Sequence, residues 1–488
     1  MGSPRAAAPG RYLALAAALL GWMFDGLEMG LFPLVARPAL KELLGPGIGE
    51  GTVGQWYAVI TAGFLVGAAA GGVLFGWLGD KLGRVRAMTL SVLVYAGCSG
   101  ACAFAQSPAQ LAGLRFAGAL GMGGEWALGV ALVMELWPDA ARGWLAGLIG
   151  AAGNLGYATV GAIALALTWN PTAVQGWADS VGMHSTGNWR LLMLVGVLPA
   201  VLTLFIRLMV PESERWERER DAGKAAHWSG RDLLAVLGGA AAAAGVIAVW
   251  AMPEPDWLLR GVVTPVGFGL VVAGFLFPAW RYLSRATTDP GIRRKTLGRM
   301  LLGAGLSGVP LLATWAGVMW QYNFVDKLTG GTVPEARPMT MIVSAVGAAF
   351  GAIAGAVLGE RFGRRPVYAI LCVLSLAVLL GFYSLNRSYG WWFVASAGLV
   401  GAVSAAFYGW LPLYLPELFP TPVRASGQGF AFNAGRVIAA VGALQTGALL
   451  AAFDNNYAAA CSVTAGVYLI GLGLIAVAPE TKGRPLPE

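Results

Sequence analysis

Two stretches, Leu233–Met252 and Gly261–Trp280, each run for 20 residues without a charged side chain. A helix needs about 20 apolar residues to cross the hydrocarbon core of a bilayer. Inside that core every backbone N–H and C=O must be satisfied within the span, so runs of this kind have to be helical. Similar runs recur along all 488 residues. Charged residues make up only 12% of the chain, against about 25% in a soluble domain. A water-soluble fold of this composition would lack a surface; a fold immersed in lipid does not need one. The ten-residue alternation of an outer-membrane barrel is not visible. The expected class is an all-α membrane protein.

Fourteen spans are expected. Residues 12–36, 54–78, 87–106, 109–136, 144–169 and 190–210 form a first group of six, and 233–252 with 261–282 an additional pair. Residues 298–325, 338–358, 366–386, 391–416, 426–452 and 458–478 form a second group of six. The chain then divides into an N-terminal six-helix bundle (1–210), a cytoplasmic linker (211–232), two additional transmembrane helices (233–282), a basic cytoplasmic connector (283–297), a C-terminal six-helix bundle (298–478) and a cytoplasmic tail (479–488). With the N-terminus in the cytoplasm, most of the 33 Lys and Arg residues fall on the inner side, as the positive-inside rule requires. The net charge of +8 is therefore read as topology and not as nucleic-acid binding.

The densest charge, Arg207–Asp232, is expected to form a solvated surface helix. Arg293, Arg294 and Lys295 of the connector would lie on the anionic inner leaflet, each contributing ~1 kcal/mol. The first apolar run, Tyr12–Ala36, is too long for a signal peptide. Cys98, Cys102, Cys372 and Cys461 all fall in apolar spans, where Cys packs as a small hydrophobe. His184 and His227 lie in loops. No metal-ligand cluster, nucleophile motif or phosphate-cradling loop is present, so no metal, cofactor or enzymatic activity is expected.

The strongest signal is an internal repeat. Gly79-Asp80-Lys81-Leu82-Gly83-Arg84 follows span 2, and Gly359-Glu360-Arg361-Phe362-Gly363-Arg364 follows the matching span of the second half. Glu135-Leu136-Trp137-Pro138 leads to Arg142, and Glu417-Leu418-Phe419-Pro420 leads to Arg424. Pro211-Glu212-Ser213 and Pro479-Glu480-Thr481 close the two halves. All of these fall at the cytoplasmic end of their half. An acidic residue at one helix end can pair with an Arg on the next loop and hold that side shut. Parallel halves rocking about a midplane site constitute alternating access.

On these motifs the chain resembles the major facilitator superfamily over nearly its whole length. The Glu-x-x-Pro-x-x-x-Arg, Pro-Glu-Ser and Pro-Glu-Thr-Lys-Gly elements are similar to those of the sugar porters and their organic-ion relatives. Asp25-Gly26-x-Glu28 is similar to the Asp-Gly-x-Asp of aromatic acid:proton symporters, with Glu in the last place. The additional pair of spans resembles that of the sialate:proton symporters. The resemblance implies a multi-pass monomer of the bacterial inner (plasma) membrane, with both termini cytoplasmic. Its partners would be the lipid bilayer, a small-molecule substrate and protons. Asp80, Arg84, Glu135, Arg142, Glu360, Arg364, Glu417 and Arg424 would serve as cytoplasmic gating motifs.

Ionisable groups inside spans are functional candidates, because burying one costs at least ~2.5 kcal/mol. Asp25 and Glu28 stand three apart and share a face of span 1. By helix rise, Glu28 lies ~12 Å and Arg115 ~9 Å from the outer ends of their spans, so a pair between Arg115 and Glu28 or Asp25 is geometrically reasonable. Burial raises a carboxylate's proton affinity and a neighbouring Arg lowers it. A conformational change that draws Arg115 away would therefore turn the carboxylate into a proton acceptor. A static ion pair is the structural alternative.

Arg436, about ten residues from the inner end of its span, presents a planar fork suited to a carboxylate. Glu125 lies at similar depth and offers it an internal partner. Asn154, Tyr157, Gln321, Asn323, Tyr408 and Trp410 are candidate lining residues, although any single Trp can also belong to an interfacial belt. Sugar-porter relatives use amides and aromatics of spans 7 and 10 to bind polyols.

The expected function is proton-coupled symport of a small organic anion, such as an aromatic or sugar acid. A neutral sugar is the alternative substrate. A non-transporting sensor is a third reading, for which the ten-residue tail offers no signalling domain.

Overall fold

A computed structural model describes residues 9–136, 142–180, 182–183, 188–201, 230–250, 252, 256–286, 289–419, 424–454, 456–484 and 487. Within these there are helices and turns and no strand. The first part comprises α1 (Pro9–Leu44), α2 (Glu50–Leu82), α3 (Arg84–Ala101), α4 (Pro108–Leu136), α5 (Arg142–Trp169), α6 (Pro171–Ser180) and α7 (Trp189–Val195). A hairpin of α8 (Gly230–Trp250) and α9 (Trp257–Ala286) follows. The second part comprises α10 (Pro290–Ala316), α11 (Gln321–Thr329), α12 (Ala336–Phe362), α13 (Arg364–Leu385), α14 (Trp391–Tyr414), α15 (Arg424–Ala452), α16 (Tyr457–Ala465) and α17 (Val467–Val477).

Among the described residues, 11 helical stretches are long and apolar enough to cross a membrane. Helices α4 and α15, 29 residues each, and the shorter stretch Trp189–Val201 fall outside that set, so the expected fourteen is not reached on this criterion. The charged segment before Gly230, with His227, and the loop with His184 lie outside the described residues.

The repeat is visible in the backbone. Gly83 starts α3 at φ 103° and ψ 155°, and Gly363 starts α13 at φ 107° and ψ 155°. Positive φ at both turns is a conformation that glycine adopts without a Cβ clash. Both turns lie on one face of the molecule, the motif face; the α1–α2 turn lies on the far face.

Within the first part α2 packs on α4 and α1 on α5; within the second α12 packs on α14 and α10 on α15. The two bundles meet along a seam where α5 runs against α12 and α14, and α2 runs against α15. Small residues set this approach. A Cβ at Gly147, Gly150 or Gly161 of α5 would come within 2.9 Å of Ile353, Ala352 or Ile342 of α12. Contacts cross the seam near both faces as well: Glu360 reaches Gly143 at the motif face, and Arg337 donates to Leu34 O at the far face (2.8 Å). The hairpin sits beside it, with α8 on α2 and α9 on α15.

Three boundaries depart from the sequence expectation. Helix α1 continues eight residues past 36, because Arg37 and Lys41 pair with Glu50 (2.7 and 2.5 Å) and Glu42 accepts from Trp189 (3.0 Å). The expected span 298–325 is broken at Gly317 into α10, a short 3-10 turn and α11. Side-chain hydroxyls take up the freed carbonyls: Tyr383 donates to Gly317 O (2.7 Å), and Thr446 and Thr464 donate to Ala316 O (2.9 and 3.2 Å). Broken helices at membrane depth need such partners. Helix α6, amphipathic and at the far face, was not anticipated.

Candidate functional site

Where α1, α3 and α4 meet, Arg115 Nη1 donates to one oxygen of Glu28 and Ser99 Oγ to the other. Glu28 and Arg115 are 1% and 2% exposed, so this ion pair is sealed from both faces. The Arg115 guanidinium also lies over the rings of Phe64 (4.6 Å) and Phe32 (5.5 Å), a contact that offsets part of the cost of burying a cation. Gly26 and Gly156 bring α1 against α5 at the same level, with a Cβ at Gly156 reaching Gly26 C at 2.8 Å. Asp25 is buried one turn before Glu28 and acts electrostatically on Arg436 across the seam.

Arg436 of α15 is 7% exposed. Its Nη1 donates at long range to Ala68 O of α2 (3.4 Å) and to Asn433 Oδ1 (3.3 Å), and its guanidinium stands 5.0 Å from the Phe432 ring. Among the described residues no carboxylate lies within ion-pairing distance of it. The Glu125 side chain, weighed as an internal partner, lies outside the described residues.

A cavity of about 40 Å³ occupies the seam between α5, α10, α12 and α14. On this measure a single water needs ~10–15 Å³, so the cavity has room for about three. Asn154, Tyr157, Tyr322, Ser344, Ser404 and Tyr408 line it. Asn154 donates back to Gly150 O (2.8 Å), Tyr408 donates to Thr314 Oγ1 (2.8 Å), and Gln321 donates to Ser344 Oγ (3.1 Å) from just behind the wall. Arg436 lies within electrostatic reach of Tyr408. A larger apolar recess of about 490 Å³ between α5, α6 and α7 has only apolar side chains in its wall and nothing to orient a polar solute.

Two lining candidates are elsewhere. Trp410 is fully buried in the second bundle; its Nε1 donates to Arg364 O (3.0 Å) and its ring packs on Tyr368 and Tyr414 at 4.7 and 4.6 Å. Its aromatic surface is spent holding the α13 start. Asn323 Oδ1 accepts from Arg337 Nη2 (2.8 Å) at the far face. Arg337 itself, which the sequence reading missed, also donates to Tyr322 O (3.1 Å), pairs with Asp326 (2.8 Å) and reaches across the seam to Leu34 O of α1 (2.8 Å). The signal was a lone Arg immediately before an apolar span, which reads as an ordinary helix end.

At the motif face Arg364 makes a two-pronged contact with Glu417 (3.0 and 2.6 Å), and Thr481 donates to the same carboxylate (2.6 Å). Burial alone would raise the Glu480 carboxyl, but the backbone N–H groups of Arg365, Arg364, Lys482 and Thr481 hold it below the usual range. Glu360 reaches over Gly143 of the first bundle. The side chains of Asp80, Arg84, Glu135, Arg142 and Arg424 lie outside the described residues.

Two helical bundles of matching turn geometry thus meet along a small-residue seam with buried charge beside it. The model of the sugar (and other) transporter family matches residues 40–236 and 283–488, and the chain belongs to that family, within the major facilitator superfamily. The interval between the two matches, 237–282, holds most of α8 and α9. The chain is 28% identical over 472 residues to a "Probable 4-methylmuconolactone transporter" of Cupriavidus pinatubonensis, covering 95% of this chain and 89% of that one. It is 24% identical over 477 residues to the niacin transporter NiaP of Acinetobacter baylyi, covering 96% and 93%. Its fold is similar to the proton:xylose symporter XylE of E. coli, with a TM-score of 0.68, 18% identity and coverage of 99% and 98%.

Proposed function

We propose that this carrier crosses the membrane fourteen times, with the motif face and both termini cytoplasmic, and moves a small organic anion together with a proton. The observation that carries this reading is Arg436, a buried guanidinium at the seam with no carboxylate of the described residues in ion-pairing range. A guanidinium buried in the membrane interior with only the longer-range influence of Asp25 is costly, and a substrate carboxylate entering the seam would neutralise it directly through the two-pronged geometry a guanidinium offers. Niacin, the named substrate of one relative, is a small aromatic carboxylic acid, which fits the same chemistry. Glu28 would carry the proton, ionised while Arg115 holds it and protonated when that pair parts. The closed seam and small cavity would represent the occluded, empty carrier, which must open to admit any substrate.

A neutral sugar is the second reading, favoured by the tyrosine, serine and amide groups of the cavity wall. Binding to purified protein separates the two: nicotinate, benzoate and glucuronate on one side, glucose and xylose on the other. Arg436→Lys keeps the charge and loses the planar fork, so affinity for the anion should fall by about ten-fold. Normal binding by the Lys variant, or binding of uncharged sugars alone, refutes the anion reading.

A further inference from the structure

Glu28 has two donors, and they differ in kind. Arg115 binds Oε1 and is always charged; Ser99 binds Oε2 and is neutral. Ser99 comes from α3, the third helix of the site, and is 1% exposed. Its side chain lies against Gly196, where an added Cβ would stand 2.7 Å from that of Ser99, so the close approach to Glu28 depends on a residue without a side chain at that position. The titratable groups around Glu28 are Asp25 of its own helix, Arg115 of α4, the Cys98 thiol of α3 and the Cys102 thiol of the 3-10 turn that follows it, the two cysteines bracketing Ser99 in the chain. Of the two donors on the carboxylate, only the hydroxyl can also accept a hydrogen bond.

We propose that Ser99 is a positioning residue for the proton carrier Glu28, donating to Oε2 while Glu28 is ionised and, by rotation of its O–H, accepting from Oε2 when Glu28 is protonated. The inference rests on the reading of Glu28 as that carrier. Oε1 faces Arg115, so the proton arriving from solvent adds to Oε2 and leaves from the same oxygen to the opposite side. The carboxyl keeps one orientation throughout, and the site needs no rearrangement beyond the withdrawal of Arg115. Because a hydrogen bond to the ionised form is stronger than one to the neutral form, Ser99 also holds the proton affinity of Glu28 down.

The test is the pH profile of gradient-driven uptake in proteoliposomes, with counterflow exchange read in parallel to report folding. Ser99→Ala should move the midpoint of uptake to higher pH by about one unit, a ten-fold change in proton affinity. Ser99→Cys, which restores a weaker donor, should give a smaller shift in the same direction. Superimposable profiles for the two variants and the unmodified protein overturn the proposal. Glu28→Gln separates the two levels. If it still accumulates substrate with an unchanged profile, Glu28 is not the carrier and both readings fall. If it abolishes accumulation while Ser99→Ala leaves the midpoint in place, only the role of Ser99 falls.

Discussion

Replacing Arg337 by Met should bias the carrier toward opening at the far face. Three of the four contacts of Arg337, to Tyr322 O, Asn323 Oδ1 and Asp326, lie within its own bundle and survive any rocking of the two bundles. Only the bond to Leu34 O crosses the seam, aided by the long pair between Arg37 and Asp326 (3.9 Å). A hydrogen bond from a charged group contributes about 1.5–3 kcal/mol. Opening wets both partners, so the lower end applies, and ~1.4 kcal/mol is ten-fold in the open-to-closed ratio. Ala348 lines the cavity, and an Ala348→Cys reporter there reads that ratio as its labelling rate by a membrane-impermeant maleimide added on the far face. Cys102, Cys372 and Cys461 are buried and Cys98 is half-buried, so a parent without the reporter gives the background. Met retains the bulk of the Arg stem and leaves Asp326 to Arg37. Labelling about ten-fold faster in the Arg337→Met background is expected. Rates within about two-fold of the parent would show that the latch contributes nothing to closure, and the structural reasoning would be wrong.

Asp25→Asn, which removes the carboxylate acting on Arg436 across the seam, should weaken coupling and leave exchange intact; proteoliposome uptake at pH 6 and pH 8 reads this. Gly150→Val places a branched side chain against Ala352 and should slow both uptake and exchange at least ten-fold with little change in binding affinity, measured on purified protein. Glu480 is held ionised by four backbone donors, so its folded carboxyl titrates below the unfolded one and its stabilisation is present at neutral pH and lost as pH falls through the acid range. Thermal stability should therefore drop between about pH 5 and pH 3, and Glu480→Gln should flatten part of that slope.

The sequence carried the helices well because membrane spans are long and almost free of charge, and because backbone satisfaction in lipid leaves no alternative to a helix. It carried the repeat because the turns at Gly83 and Gly363 need a backbone that few residues other than glycine supply. It did not carry the break at Gly317, since the residues that stabilise it, Tyr383, Thr446 and Thr464, come from three other helices and are unremarkable in their own spans. The same limit applies at the site. Depth along α1 and α4 put Glu28 and Arg115 at one level, and the structure joins them. No one-dimensional signal marked Ser99 or Arg337, whose partners lie 71 and 303 residues away in the chain. Trp410 and Asn323 were chosen by residue type and depth, and neither property says which way a side chain faces.

The hairpin of α8 and α9 gives the carrier a tether on its lipid-exposed flank. The two helices hold each other: Asp232 pairs with Arg281 at the motif-face end (2.9 Å), and a Cβ at Gly274 would stand 3.0 Å from Gly239 Cα midway. Gln55 of α2 donates to Trp250 O and Met252 O at the far-face end (3.3 and 3.1 Å), pinning the hairpin to the first bundle. A stroke that parts α2 from α15 must then slide α15 under α9, on an interface open to the acyl chains. If transport parts the bundles in this way, lipid entering that interface would load the stroke, and turnover in proteoliposomes is expected to change with acyl-chain length.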